Sequence, residues 1–132
     1  MLHAMLDTNL CIRVLRDRPA DIRKRFAAEA GQLAISTIVL HELHAGVLRS
    51  PDPERHLSQL EDFVPRLTVL DFDDLAALHA ADIKAELLKR GNVIGPNDLL
   101  IAGHARSLGV KLITGNLREF QRVDGLRCED WL

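Results

Sequence analysis

Cysteine is scarce in this sequence. Its two cysteines, Cys11 and Cys128, stand near opposite ends and form no CxxC pair. Neither a disulfide framework nor a thiolate zinc site is expected, and a reduced, cytoplasmic setting is the default. No run of 18 apolar residues and no basic-then-apolar leader occurs, so neither a membrane span nor a secretion signal is expected. Charge of one sign is not in excess: 17 Lys plus Arg stand against 19 Asp plus Glu, a formal charge of −2. That balance argues against broad electrostatic binding of nucleic acid while leaving room for a local basic patch. Low-complexity segments, repeats and linkers are missing. So are the P-loop and GxGxxG patterns, which removes local support for nucleotide binding.

What remains is an ordinary globular composition. The 132 residues are 47% hydrophobic and 27% charged, outside the disordered range. The length fits one domain over residues 1–132, enough to bury roughly two-thirds of the surface of the unfolded chain. Proline and glycine fall singly, as punctuation.

Short apolar runs alternate with helical segments. His3 to Leu6 reads as a strand that ends on the helix cap Asp7-Thr8-Asn9, with a helix to about Leu15. A second helix is expected from Pro19 to Ala30, stopped by Gly31. Leu33 to Ile35 is a strand, and Ser36 or Thr37 caps a helix to about Arg49. After the break Ser50-Pro51-Asp52-Pro53, a helix covers Glu54 to Val64 and a strand covers Leu67 to Leu70. Asp73 or Asp74 caps a long helix whose apolar positions are Leu75, Leu78, Ile83 and Leu87. Gly91 ends it. Asn97-Asp98 opens an apolar helix that Gly109 closes, and Val110 to Ile113 is the fourth strand. The remainder is irregular, with a short strand near Leu126 to Cys128. This alternation predicts an α/β domain with a mainly parallel central sheet of four to five short strands flanked by helices. In such sheets ligands bind beyond the carboxyl ends of the strands.

Those ends carry acids and hydroxyls. Asp7-Thr8-Asn9 follows the first strand, Asp71 the third, and Thr114-Gly115-Asn116 with Glu119 the fourth. Asp98 opens a helix, and Glu42 lies next to an apolar helical run. Taken singly, each has a plain structural explanation: Asp7 and Asp98 as caps, Glu42 as a surface residue, Asp71 and Asn116 as turn formers. As a set they say more. Asp7, Glu42, Asp98 and Glu119 come from four segments that a parallel fold can bring together. Converged carboxylates repel and must take up protons or a cation. A hard divalent ion, Mg²⁺ or Mn²⁺, suits oxygen ligands and phosphodiester hydrolysis. The early cluster Arg13, Arg16, Arg18, Arg23, Lys24 and Arg25 is either a solvated helix face or a rim for phosphate.

The motifs Met5-Leu6-Asp7-Thr8-Asn9, Ala34-Ile35-Ser36 with Glu42-Leu43 and Gly46, Ile94 to Ala105, and Thr114 to Phe120 occur in order along the chain. Together with the tail Val123 to Leu126 and Glu129-Asp130-Trp131, they resemble the PIN-domain ribonucleases, specifically the VapC toxins of bacterial VapBC toxin–antitoxin modules. The resemblance covers essentially the whole chain. It implies a PIN fold and a Mg²⁺- or Mn²⁺-dependent endoribonuclease. By position, Asp7 and Asp98 match the principal metal-binding acids and Glu42 the third acid. Asn116 stands where many PIN domains have Asp, and Glu119 looks like the fourth acid. Asn116 would then bond to Asp7 or to a water on the ion, with Thr8 and Thr114 as orienting groups. The resemblance further implies a VapB-type antitoxin as partner, a homodimer and a toxin–antitoxin hetero-oligomer. The implied substrate is RNA, with the anticodon stem-loop of initiator tRNA as the expectation.

Other patterns are weaker. His41-Glu42-Leu43-His44 spaces its histidines at i and i+3, which is not HExxH. His41, His44, His56, His79 and His104 therefore read as ordinary helix-face residues. Asp7-Thr8-Asn9 lacks the second Asp of a dehalogenase-type phosphatase. A receiver-like signalling domain with Asp71 as phospho-acceptor is the alternative from another class, and a PIN-like protein that binds RNA without cutting it is the third reading.

Overall fold

The computed structural model describes residues 1–17 and 20–132. The expected helix start at Pro19 lies outside the described residues. In chain order the elements are β1 (Ala4–Leu6), α1 (Thr8–Asp17), α2 (Ala20–Ala28), β2 (Leu33–Ser36), α3 (Thr37–Leu48) and α4 (Pro53–Phe63). A 3-10 turn (Val64–Arg66) leads to β3 (Thr68–Leu70), α5 (Asp74–Lys89), α6 (Pro96–Leu108), β4 (Lys111–Ile113), α7 (Leu117–Phe120) and β5 (Cys128–Glu129).

The five strands form one sheet in the order β3-β2-β1-β4-β5, every pairing parallel. β1 lies at its centre, and Ala4, Met5 and Leu6 are fully buried. Helices on both faces explain why these strands read as unbroken apolar runs rather than alternating ones. From β1 the order runs one way to β3 and the other way to β5. The reversal between β1 and β4 opens a crevice at their carboxyl ends. The register pairs Leu6 with Ile113, so the next residues, Asp7 and Thr114, stand side by side at that crevice. The same order removes the receiver reading. A receiver sheet runs 2-1-3-4-5, with its third strand inside. Here β3 is an edge strand and Asp71 is an exposed residue beyond it.

Local chemistry starts and stops the helices. Ser36 Oγ accepts from the Ile38 N–H at 3.1 Å and Asp73 Oδ1 from the Ala76 N–H at 2.9 Å, each filling an orphan donor of a first turn. Gly109, at φ +67°, closes α6 in the left-handed conformation that glycine adopts without strain.

Three expectations need correction. On α5, Leu75 and Leu78 are 52% and 67% exposed, and the buried stripe is Ala76, Ala80, Ile83 and Leu87. The small residues face inward because α6 comes very close: a Cβ on Gly103 would stand 2.6 Å from the Ala80 backbone nitrogen. His104 is no surface residue. It is 2% exposed, its Nδ1 lies 2.8 Å from Ser36 Oγ, and its ring meets Phe72 edge-on at 5.6 Å. The chain after β4 is less irregular than expected. It forms α7, and the last strand falls at Cys128–Glu129, one or two residues later than read.

Candidate metal and acid centre

Asp7 is 1% exposed at the end of β1. Its Oδ1 accepts from the Leu10 N–H at 2.8 Å, the capping bond of α1, and its Oδ2 accepts from Thr114 Oγ1. Capping and site roles therefore coexist, because each carboxylate oxygen has a second lone pair. Burial pushes the Asp7 carboxyl above its ordinary range, against the pull of Thr114 and the Leu10 N–H, and the charges of Glu42 and Asp130 push the same way.

Glu42 lies half-buried on α3, where Thr8 Oγ1 donates to its Oε1 at 2.6 Å. Thr8 thus orients Glu42 as Thr114 orients Asp7. Asp98 sits in the first turn of α6, three residues beyond the N-cap Gly95, where the helix dipole favours a carboxylate. Burial comes first in pushing the Asp98 carboxyl up to about 7. Its hydrogen bond to Glu119 and the charges of Glu119, Asp7 and Glu42 add to the effect.

Glu119, on α7, is fixed from two sides. The Gly95 N–H donates to its Oε1 at 3.0 Å and Asn116 Nδ2 donates to its Oε2. The Asn116 side chain therefore donates to Glu119 and not to Asp7, the first of the two partners expected for it. Its backbone N–H donates to Thr114 Oγ1 at 2.8 Å, so Thr114 links both halves of the site. The four acids and three orienting residues read from the sequence all meet at this crevice. Asp130 was missed. It follows β5 directly, and its charge reaches Asp7. The tail motif Glu129-Asp130-Trp131 contained it, but a two-residue strand has no periodicity that would aim it at the crevice.

Does this set suit a divalent cation? The donors are carboxylate, hydroxyl and amide oxygens, the hard ligands such an ion prefers. Gly95 leaves space open above them: a Cβ there would stand 3.2 Å from Asp98 Oδ2 and 3.9 Å from Glu119 Oε1. Among the described residues no three acids, histidines or cysteines close into a ready-made cage. An open site of one or two carboxylates, completed by water, is how Mg²⁺ is usually held, so the residues fit.

Three members of the expected basic rim on the first helices are paired with acids. Arg13 and Arg16 pair with Asp17 at 3.0 and 2.9 Å. Arg25 pairs with Glu129 at 3.0 Å and lies over the Trp131 ring at 5.0 Å. These are surface and tail-docking contacts. Arg18 lies outside the described residues.

Residues 4–126 match the family model of the PIN domain, the class that this parallel fold and acid crevice define. The chain is 50% identical over 131 residues to a tRNA(fMet)-specific endonuclease VapC of Shigella flexneri, covering 99% of each, and 49% identical over 132 residues to a ribonuclease VapC2 of Haemophilus influenzae, covering all of both. Its fold overlays a chain of the DNA-bound VapBC complex from Salmonella typhimurium with a TM-score of 0.98 at 48% identity, over the full length of both. The chain belongs to the VapC ribonucleases of the PIN-domain family. Divalent-metal chemistry is general in that family. No helix among the described residues is long and apolar enough to cross a membrane.

Proposed function

We propose that this chain is a Mg²⁺- or Mn²⁺-dependent endoribonuclease toxin of the cytoplasm that cuts initiator tRNA and is silenced by a VapB-type antitoxin. The observation that carries this reading is the meeting of Asp7, Glu42, Asp98 and Glu119 at the β1/β4 crevice, each held by a named donor or, for Asp98, set beside Glu119. The relatives named for RNA cleavage support it at 49–50% identity.

Asp7 and Asp98 would hold the cation, with Glu42 and Glu119 completing the negative field. When bound, the cation supplies Lewis-acid stabilisation of the charge that builds on the phosphodiester. Thr114 and Thr8 keep Asp7 and Glu42 aimed, as outer partners of ligating carboxylates do. Asn116 and the Gly95 N–H keep Glu119 aimed in the same way. We take residues 1–132 as one catalytic domain.

For the antitoxin, an apolar groove of about 320 Å³ runs between α1, α3 and α4. Ile12, Leu15, Leu43, Val47 and Leu60 line it, and Glu42 lies at its margin. An amphipathic helix seated there would have a basic side chain within reach of the acids. The exposed Leu75 and Leu78 on α5 favour a homodimer.

The test is cleavage of initiator tRNA by the purified chain with Mg²⁺ or Mn²⁺. Wild type should cut and Asp98→Asn, folded, should not. Undiminished cutting by Asp98→Asn removes Asp98 from the mechanism. A folded wild type that binds the RNA but never cuts it leaves the non-cleaving reading in its place.

A further inference from the structure

Four acids at one crevice repel the polyanion that the proposed function brings there, and the chain as a whole carries a formal charge of −2. Something must hold phosphate close to the acids. Most arginines with described partners are engaged by carboxylates: Arg13 and Arg16 by Asp17, Arg25 by Glu129, Arg66 by Asp62 and Arg106 by Asp82. Arg122 differs. Its Nη1 donates to the backbone carbonyl of Val93 at 3.0 Å, and among the described residues no carboxylate lies within ion-pair distance of it. Arg90 Nη2 donates to the backbone carbonyl of Arg122 at 2.6 Å, and its Nε forms a long, part-exposed pair with Glu86 of the same helix at 3.8 Å. Carbonyl acceptors orient a guanidinium without cancelling its charge. Each guanidinium also keeps further N–H donors for a ligand.

Both arginines are built into the frame of the acid site. The Arg122 N–H donates to the Glu119 carbonyl at 3.2 Å, at the end of α7. Val93, which Arg122 holds, lies two residues before Gly95, whose N–H fixes the Glu119 carboxylate. Two residues of chain span about 7 Å at most. The Arg122 charge therefore sits no more than about 13 Å from the Glu119 carboxylate, a little over one Debye length at ordinary ionic strength.

We infer that Arg90 and Arg122 form a pre-oriented cationic clamp for an RNA backbone phosphate flanking the scissile bond, on the α7 side of the acid crevice. The inference rests on the ribonuclease reading for its ligand. The clamp is a positioning element: it grips the strand and leaves the chemistry to the acids. Its contribution falls on substrate binding and on salt dependence, the mark of phosphate contact.

The test measures binding of initiator tRNA in chelator across a salt series, so that it stands apart from cleavage. Wild type is compared with the Arg90→Gln/Arg122→Gln double variant, with melting temperature as the fold control. The expected result is weaker binding and a log–log salt slope shallower by about 0.7 for each charge lost. In cleavage assays with metal, KM should rise several-fold while kcat holds, and Arg122→Lys should restore most of the salt slope. If the double variant does not fold, Arg90→Gln alone carries the test, because the bond from Arg122 to Val93 stays in place. Unchanged affinity and slope in a folded variant overturn the clamp, even where wild type cuts RNA. A wild type that binds with the expected slope but does not cut overturns the ribonuclease reading and keeps the clamp.

Discussion

Asp98 lies beside Glu119 at the acid crevice, and this neighbour adds to the burial that raises the Asp98 carboxyl. The Asp98 carboxyl is pushed up to about 7, chiefly by burial, so it takes up protons well above the ordinary carboxylate range. An acid whose folded pKa lies above its unfolded value contributes stability below the unfolded pKa and loses it as pH rises toward the folded one. In chelator the melting temperature of wild type should therefore fall from about pH 4 to about pH 7. Asp98→Asn should flatten that fall and raise the melting temperature at pH 7 while losing cleavage. Identical pH profiles for the two proteins would show that the pair is not coupled in this way.

Gly95 keeps the space over the acids open. Its backbone φ of −58° is one that alanine adopts freely, so Gly95→Ala tests space and not strain. The added Cβ would crowd Asp98 Oδ2 at 3.2 Å. Cleavage should drop about tenfold or more, a cost of about 1.4 kcal/mol in the barrier, with the melting temperature nearly unchanged. Wild-type cleavage by this variant would mean that the space over Gly95 is not used.

A different outcome awaits Gly103→Ala. Here the Cβ would meet the Ala80 backbone nitrogen at 2.6 Å, and backbone cannot swing aside as a side-chain tip can. Overpacking of this kind costs about 1–3 kcal/mol. Chemical denaturation should show that loss, and cleavage measured well below the melting temperature should fall less than in Gly95→Ala.

Glu129 gathers the tail. Lys111 donates to it at 2.6 Å, and Arg25 and Trp131 also hold it, which brings its carboxyl down to about 2. A depressed acid contributes stability above its unfolded pKa and loses it as pH falls toward the folded one. Glu129→Gln should be less stable than wild type at pH 7 by no more than about 1 kcal/mol, since the group is part-exposed and screened. The difference should shrink between about pH 4.5 and about pH 2 in acid-unfolding curves. A gap that widens with acid would rule this out.

Much of this architecture could be read before any coordinates. Asp7 directly after a short apolar run, Asp98 beside the Pro96 that starts its helix, and Glu119 three residues after Asn116 are local patterns. The structure brings all three to the β1/β4 crevice. The failures share a cause in contacts between distant segments. Leu75 and Leu78 were read as core because leucine usually is, yet the close approach of Gly103 to Ala80 turns Ala76 and Ala80 inward and leaves both leucines outside. His104 looked like a surface residue until Ser36, 68 positions away, supplied its partner. Asn116 was read as a partner of Asp7 or of a water on the ion, and only the placement of α7 gives its side chain to Glu119. The strand order, which rules out the receiver reading, is likewise a matter of long-range pairing.

Because all five strands point the same way, the two rims of the sheet are chemically unlike. One gathers the acids and their supporting hydroxyls. The other is made of turns such as the one at Gly31 and Gln32, which lead into the amino ends of strands. A dye or affinity handle carried at exposed Gln32 would sit a strand's length away from the crevice, so occupancy of the catalytic side could be followed from a position that does not disturb it.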